Sequence, residues 1–456
     1  MYVLALLGVL LFFPMSVQAY QPAQAPPPTT DPAIQTMVRA VQADSIRTDV
    51  EAMVGFGTRH TLSDTTSDER GIGAARRWLK AEFERISSEC GGCLKVRYQK
   101  TVVGADETAR IPGETPVYNV VAIQVGTEHP DRYILVGGHL DSRVSNIMDS
   151  TSIAPGANDD ASGVAGAIEA ARVLSKHEFE SSLVYVGYTG EEQGLFGSTR
   201  AAEVAVEENW TMAGVLNNDM IGNIRGIDGV VENNTFRVFA QRRPADLHEE
   251  TWSTRYFGGE NDGPSRQLAR YVATRAEDYV RNLEPILIYR LDRFGRGGDQ
   301  MPFADQGFPA VRIMETHENY TRQHQDLRVE EDVRYGDRID GVNFDYAEKI
   351  TSVNVATMAS LAAGPPRPDS VKIGGAASSS ATLAWNPVDH EDLAGYKLYW
   401  RRTAIPRWQH STFVEVGTTR HTLENVVIDN WLFGVAAVDK EGHESPVVFP
   451  SGLLDD

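Results

Sequence analysis

The chain has 456 residues, 43 of them basic and 63 acidic, for a formal net charge of −20. That length allows two or three domains, and so acidic a chain lacks the basic face that nucleic acid requires. Hydrophobic residues make up 41%, and the long apolar run lies at the extreme N-terminus, which describes a globular protein and excludes a polytopic membrane protein.

Residues 1–19 read as a signal peptide. Val3–Phe13 supplies the apolar core and Val17-Gln18-Ala19 the small-residue cleavage site, although the positive n-region is missing. An uncleaved N-terminal anchor is the alternative; Pro14 and the polar residues after it favour cleavage. Residues 20–33, with Pro26-Pro27-Pro28, read as an extended linker. The mature chain is therefore expected to be secreted or periplasmic, with no stable membrane span.

A helix is predicted over Gly73–Ile86 and a strand over Leu94–Val103. Between them stand the chain's two cysteines, in Cys90-Gly91-Gly92-Cys93. A redox pair would follow a strand and open a helix. Here the order is reversed, so the pair is expected to be a structural disulfide across a tight turn, which suits an oxidising compartment.

Strand-like apolar runs then recur at Val117–Val125, Tyr133–Val136, Leu183–Tyr188, Val215–Leu216, Phe236–Ala240, Ile286–Tyr289 and Ala310–Ile313. Helical patterns separate several of them: Gly163–Leu174, Ser198–Val206 and Ser265–Val280. Such alternation predicts an α/β body with a mostly parallel mixed sheet flanked by helices, whose chemistry gathers at the carboxyl ends of the strands. A further helix, Phe344–Ala363, is stopped by Pro365-Pro366-Arg367-Pro368. This bounds the body at residues 34–364.

Residues 366–456 change character. Short alternating runs at Ala381–Trp385, Tyr396–Arg401, Phe413–Val416, His421–Leu423 and Trp431–Val438 predict a small all-β sandwich. Trp385, the Tyr396-x-x-Tyr399 strand and the run Phe433–Asp439 resemble a fibronectin type III domain. No candidate ligand falls there, so the sandwich is expected to be dispensable for chemistry; it could bind a surface or a large substrate.

Four strand-to-loop junctions of the body carry polar clusters: His139-Leu140-Asp141, Gly156-Ala157-Asn158-Asp159-Asp160-Ala161-Ser162-Gly163, Gly190-Glu191-Glu192-Gln193-Gly194-Leu195 and Asn217-Asn218-Asp219-Met220. Taken singly, each has an ordinary reading: Asp159 or Asp160 as a helix cap, Glu191-Glu192 as a solvated loop. Taken together, acids converging without basic partners would repel one another, and an acid cluster with His is what a divalent transition metal requires.

In order and spacing these motifs resemble peptidase family M28, dizinc exopeptidases that include bacterial secreted aminopeptidases. The resemblance covers roughly residues 45–360 and implies a zinc-exopeptidase fold with two Zn²⁺ per chain. It implies His139 and Asp219 on one zinc, Asp159 bridging both, Glu192 on the second, and unligated Glu191 as general base. The family needs one more His near the end of the core. Of His317 and His324, His324 matches the family position, and its spacing to Asp326 repeats that of His139 to Asp141. Each of these two Asp residues is expected to orient its His through the far ring nitrogen. Two divalent ions against the carboxylates of Asp159, Glu192 and Asp219 leave one positive charge, which a bridging hydroxide would balance.

The resemblance implies a peptide or protein substrate and, most simply, an aminopeptidase. A carboxypeptidase or related dizinc amidohydrolase is the alternative, with Arg293 or Arg296 as the cation for a terminal carboxylate; a non-catalytic binding protein is the remaining reading. Ile147, Met148, Phe294 and Phe303 could line a side-chain pocket or simply pack the core.

Overall fold

The computed structural model describes residues 25–241 and 262–454. The apolar run read as a signal peptide lies outside them. Among the described residues no helix is long and apolar enough to cross a membrane.

The first helices are α1 (Pro32–Arg39), α2 (Ala43–Gly55) and α3 (Gly71–Glu89). The first begins inside the segment read as linker: Asp31 caps it by accepting the Ala33 N–H at 2.7 Å, and Pro32, which has no N–H to satisfy, opens it. Cys90 ends α3 and is disulfide-bonded to Cys93, across Gly91 and Gly92, whose φ values of 78° and 92° suit residues without a Cβ.

There follow β1 (Leu94–Val103), β2 (Thr115–Gln124), β3 (His129–His139), α4 (Ala161–Leu174), β4 (Ser181–Tyr188), α5 (Glu191–Gly194), α6 (Phe196–Glu207), β5 (Thr211–Asn218) and β6 (Thr235–Phe239). The body closes with α7 (Pro264–Tyr279), β7 (Glu284–Ile288), α8 (Gln300–Asp305), β8 (Ala310–Glu315), a small hairpin of β9 (Arg328–Glu330) and β10 (Val333–Tyr335), and α9 (Phe344–Ala363). Eight strands form one sheet in the order β1-β2-β4-β3-β5-β8-β6-β7. The centre, β4-β3-β5-β8, is parallel throughout. The pairs β1–β2, β2–β4 and β6–β8 are antiparallel, and β6–β7 is parallel. The carboxyl ends of the four central strands therefore share one edge.

Apolar side chains cover both faces of the sheet. The larger core gathers α2, α4, α7 and α9 on one face; the smaller gathers α6 and α8 around Val186, Tyr188 and Phe303 on the other. Helix α4 approaches the strands closely. A Cβ on Gly163 would meet the Asn218 carbonyl oxygen at 2.6 Å, and one on Gly138 would meet Asp160 Oδ2 at 2.5 Å. Glycine at both positions thus lets the helix N-terminus reach the ends of β3 and β5.

After Gly364 come two small sheets. One joins β11 (Lys372–Gly374), β12 (Ala381–Ala384), β15 (Arg420–Leu423) and β17 (Gly452–Leu453); the other joins β13 (Leu393–Arg402), β14 (His410–Glu415) and β16 (Trp431–Asp439). They share a core in which Trp385 packs on Tyr396 with ring centroids 5.1 Å apart. This unit is fastened to the body by buried charge. Asp262 takes Arg270 Nη1 at 2.8 Å and Arg401 Nη2 at 2.9 Å, and Arg270 Nε donates to the Pro406 carbonyl at 2.6 Å. All three ionic side chains are buried.

The C-terminal unit is expected to be dispensable for chemistry, but these buried contacts give it a part in stability. Removing it strips Asp262 and Arg270 of partners held away from water, and orphaned buried charge is costly. Truncation after Gly364 is expected to lower the melting temperature and yield less soluble protein. The single substitution Arg401→Ala is expected to cost about 3 kcal/mol by the same logic. Thermal denaturation of both variants checks this; an unchanged midpoint would deny the unit that part.

Candidate metal centre

Each polar cluster of the sequence lands on the shared edge. His139 is the last residue of β3; Glu191 and Glu192 open α5 just after β4; Asp219 follows β5; Asp159 precedes α4. Asp160, not Asp159, caps that helix. Its Oδ1 accepts from the N–H groups of Gly163 and Met220, both at 3.1 Å, and its Oδ2 from the His139 N–H at 3.0 Å. One carboxylate thus ties α4 to β3 and to the end of β5, and leaves Asp159 facing outward from the edge.

Asp159 stands at the middle. Its Oδ1 lies 3.0 Å from His139 Nε2, and its Oδ2 lies 3.0 Å from His324 Nε2. Asp219 Oδ1 is 4.0 Å from His139 Nε2, and Glu192 Oε1 is 3.0 Å from His324 Nε2. Two three-donor groups result, His139–Asp159–Asp219 and Asp159–Glu192–His324, each with its donor atoms within 4.8 Å of one another. Glu192 Oε1 is buried and makes no hydrogen bond of proper geometry. A mixed nitrogen and carboxylate set, closely convergent and with an unsatisfied buried oxygen, fits zinc in both groups.

The imidazoles and carboxylates of the cluster shift one another's ionisation. Burial works against charge on His324, but Glu192 and Asp159 push its pKa up to about 9. His139 is raised likewise, burial being outweighed by Asp159, Glu191 and their neighbours. Burial also opposes charge on Asp159, yet both imidazoles hold it well below the usual carboxylate range; His324 and Arg143 bring Glu192 down to about 2. Glu191 moves the other way, raised by burial and by the acids Glu192, Asp219 and Asp299. Its carboxylate accepts no hydrogen bond from the described residues, while its main-chain N–H is fixed on Asp141 Oδ1 at 3.3 Å.

The two expected orienting carboxylates are bonded chiefly elsewhere, although Asp141 Oδ1 stands 3.8 Å from His139 Nδ1. The far nitrogen of His139, Nδ1, meets the main-chain carbonyl of Asp141 at 2.9 Å. The Asp141 carboxylate instead caps α5, accepting from the N–H groups of Gly190, Glu191 and Glu192 at 3.0 to 3.3 Å. The turn after β4 needs an acceptor for three exposed N–H groups, and this outweighs a single contact to the ring. Asp326 likewise misses His324 Nδ1; its Oδ2 takes the Ser145 hydroxyl at 2.6 Å, and Nδ1 lies 2.5 Å from Arg143 Nη2. His317 is apart from the cluster, 2.9 Å from Glu232.

The acids do have basic partners, which the sequence reading missed. Arg143 Nε is 2.7 Å from Glu192 Oε2, and fully buried Arg312 puts Nη2 2.7 Å from Asp219 Oδ1 and Nη1 2.7 Å from Asp292. The charge count offered for two ions therefore weakens, and the donor geometry carries that reading instead. Three more residues shape the site from a distance. Asp337 accepts the Asp159 N–H at 2.7 Å, its pKa pushed up to about 7 mainly by burial. Gln323, beside His324, donates to Asp159 Oδ2 at 3.1 Å. Buried Arg59 joins the carbonyls of Leu140, Pro155 and Gly156, locking the chain on either side of the loop 141–155. For Arg312 a signal existed: a charge between Val311 and Ile313 in an otherwise apolar strand demands a buried partner.

The centre opens into a cleft of about 450 Å³. None of the four apolar residues considered for a pocket lines it. Phe303 is buried in the core, Phe294 is 88% exposed, and Ile147 and Met148 lie elsewhere.

Comparison with known proteins gives the chain its relatives. The model of peptidase family M28 matches residues 119–333. A probable zinc metalloprotease of Pyrenophora tritici-repentis is 40% identical over 428 residues, spanning 93% of this chain and 88% of that protein. Another, of Leptosphaeria maculans, is 40% identical over 425 residues, spanning 93% and 98%. Among solved structures, the LapA aminopeptidase of Legionella pneumophila shares the fold, with a TM-score of 0.52 at 21% identity, covering 73% of this chain and 74% of that one.

Proposed function

Since the chain belongs to peptidase family M28 and is a zinc metallopeptidase, we propose that it is an exported exopeptidase trimming peptides from the amino end, with two zinc ions per chain. The observation that carries the reading is the Asp159 carboxylate, shared between two three-donor groups, while the Glu191 carboxylate beside them accepts no hydrogen bond from the described residues. His139, Asp159 and Asp219 would hold one ion; Asp159, Glu192 and His324 the other. Bound there, zinc supplies Lewis acidity to the scissile carbonyl and lowers the pKa of the attacking water.

The chain's own residues do the rest. Glu191 takes the proton from the attacking water and delivers it to the leaving amine. The cap from Asp141 holds Glu191 and Glu192 on one rigid turn, so the base keeps its place relative to a ligand. Arg312 and Arg143 orient Asp219 and Glu192 by charge-assisted hydrogen bonds. Gln323 lines the cleft, and the amide hydrogen it does not give to Asp159 would serve as a donor to the developing oxyanion.

The disulfide and the apolar N-terminal run support export. Trp385 and Tyr396 in the shared core support a fibronectin type III identity for the C-terminal sandwich. The end specificity has a direct test. N-acetylation of a peptide is expected to stop cleavage and C-amidation to be tolerated, as read by mass spectrometry of the digest. The opposite pattern would select the carboxypeptidase reading.

A further inference from the structure

The charges lining the catalytic cleft are unevenly spent. Its acids, Asp159, Glu192, Asp219 and Glu191, all belong to the metal centre and its base. The other charged residues of its wall are five arginines: Arg110, Arg143, Arg293, Arg296 and Arg312. Three are neutralised. Arg143 pairs with Glu192, Arg312 with Asp219 and Asp292, and Arg293 with Asp292 at 3.0 Å and Glu318 at 2.5 Å.

Two are not. Arg110 gives one N–H to the main-chain carbonyl of Glu192 at 3.0 Å and meets no carboxylate among the described residues. The Arg296 guanidinium has neither a hydrogen bond nor an ion pair among them, and it is partly shielded by the cleft wall. In a chain with 63 acidic and 43 basic residues, carboxylates are plentiful. Two guanidinium groups left without one, in the cavity that opens on the reacting centre, concentrate positive field where a substrate lies.

The same wall offers little to an apolar side chain. Leu195 and Met301 are its larger apolar residues, Phe303 being buried in the core and Phe294 turned to solvent. Discrimination here therefore falls to charge. A guanidinium presents a planar fork of donors that matches a carboxylate in two parallel hydrogen bonds.

We propose that this cleft selects peptides bearing a carboxylate next to the scissile bond, and that Arg296, assisted by Arg110, is the specificity determinant that receives it. The proposal deepens the peptidase reading above and rests on it. A carboxylate there has two sources: an Asp or Glu side chain flanking the bond, or the α-carboxylate of a very short peptide.

Three matched pairs separate the sources, assayed with the zinc-loaded full chain: Glu-Ala-amide against Gln-Ala-amide, Ala-Glu-amide against Ala-Gln-amide, and Ala-Ala against Ala-Ala-amide. At least one carboxylate member is expected to exceed its neutral partner about tenfold in kcat/KM, mainly through KM, the scale of one charge-assisted hydrogen bond net of desolvation. Arg296→Met is expected to bring that ratio near one, Arg110→Met to lower it, and Arg296→Lys to restore part of it. In parallel, calorimetry of glutarate binding to chelator-treated protein is expected to show an affinity that Arg296→Met weakens about tenfold.

Hydrolysis with ratios near one in every pair, or ratios that survive Arg296→Met, overturns the subsite. Glutarate binding that depends on Arg296, with no hydrolysis of any pair, supports the subsite and sinks the peptidase reading. Neither hydrolysis nor Arg296-dependent binding overturns both.

Discussion

Glu191→Gln is expected to keep its bound metal and lose turnover by about 10²-fold or more, the scale of general-base catalysis. Gln preserves the size of the side chain and removes only its capacity to accept a proton. Its neighbour is the internal control. Glu192→Gln is expected to lose metal together with turnover, because Glu192 Oε1 lies in the donor group of Asp159 and His324. Both residues sit on one turn whose N–H groups are held by Asp141, so a difference between the variants reports the side chains and not the backbone. Metal counted per chain by mass spectrometry, beside kcat, decides the matter. The reverse pattern would exchange the two roles.

Removal of metal should have an equally large effect. A chelator such as phenanthroline is expected to reduce hydrolysis to background, and zinc to restore it. Asp159→Asn is expected to impair both donor groups at once, since each draws on that carboxylate. Uptake should also depend on pH. Neighbouring carboxylates favour the charged form of His324, its pKa pushed up to about 9, and shift His139 in the same direction, so protons compete with a cation for both rings. Zinc affinity is therefore expected to rise as pH is raised from about 6 to about 9, with protons released on binding. Competition against a chromogenic chelator at several pH values measures this, and an affinity independent of pH would contradict the protonation described. The melting temperature should rise with zinc, because the folded chain presents the site and the unfolded chain does not.

The residues that the sequence made visible share a property. His139, Glu191, Glu192 and Asp219 sit beside strand ends and Asp159 before a glycine-marked helix start, so a local pattern drew attention to each. His324 was distinguishable from His317 only through the family resemblance, because both lie in one irregular loop. Arg143, Arg312 and Asp337 were not legible. Arg143 meets His324 across 181 residues and Asp337 meets Asp159 across 178, separations over which local periodicity carries no information. Asp141 shows a subtler limit. Its spacing from His139 correctly placed it near the ring, but three unsatisfied N–H groups after β4 drew its carboxylate and left the main-chain carbonyl to the imidazole. The mostly parallel sheet was legible at its centre, where helices alternate with strands, and less so at β1, β2 and β6, whose connections give no sign of strand direction.

The hold of Asp337 on the Asp159 main chain has a consequence for the order of events during folding. Arg59 secures the loop before Asp159, and Asp337 fixes the bridging residue itself, so the centre draws on chain from residue 59 to residue 337. Contacts so distant in sequence form only after the intervening sheet has closed. A nascent or half-threaded chain therefore has the ligands in its sequence and no site in space. Competence to bind metal is thus expected to follow closure of the sheet, late in folding.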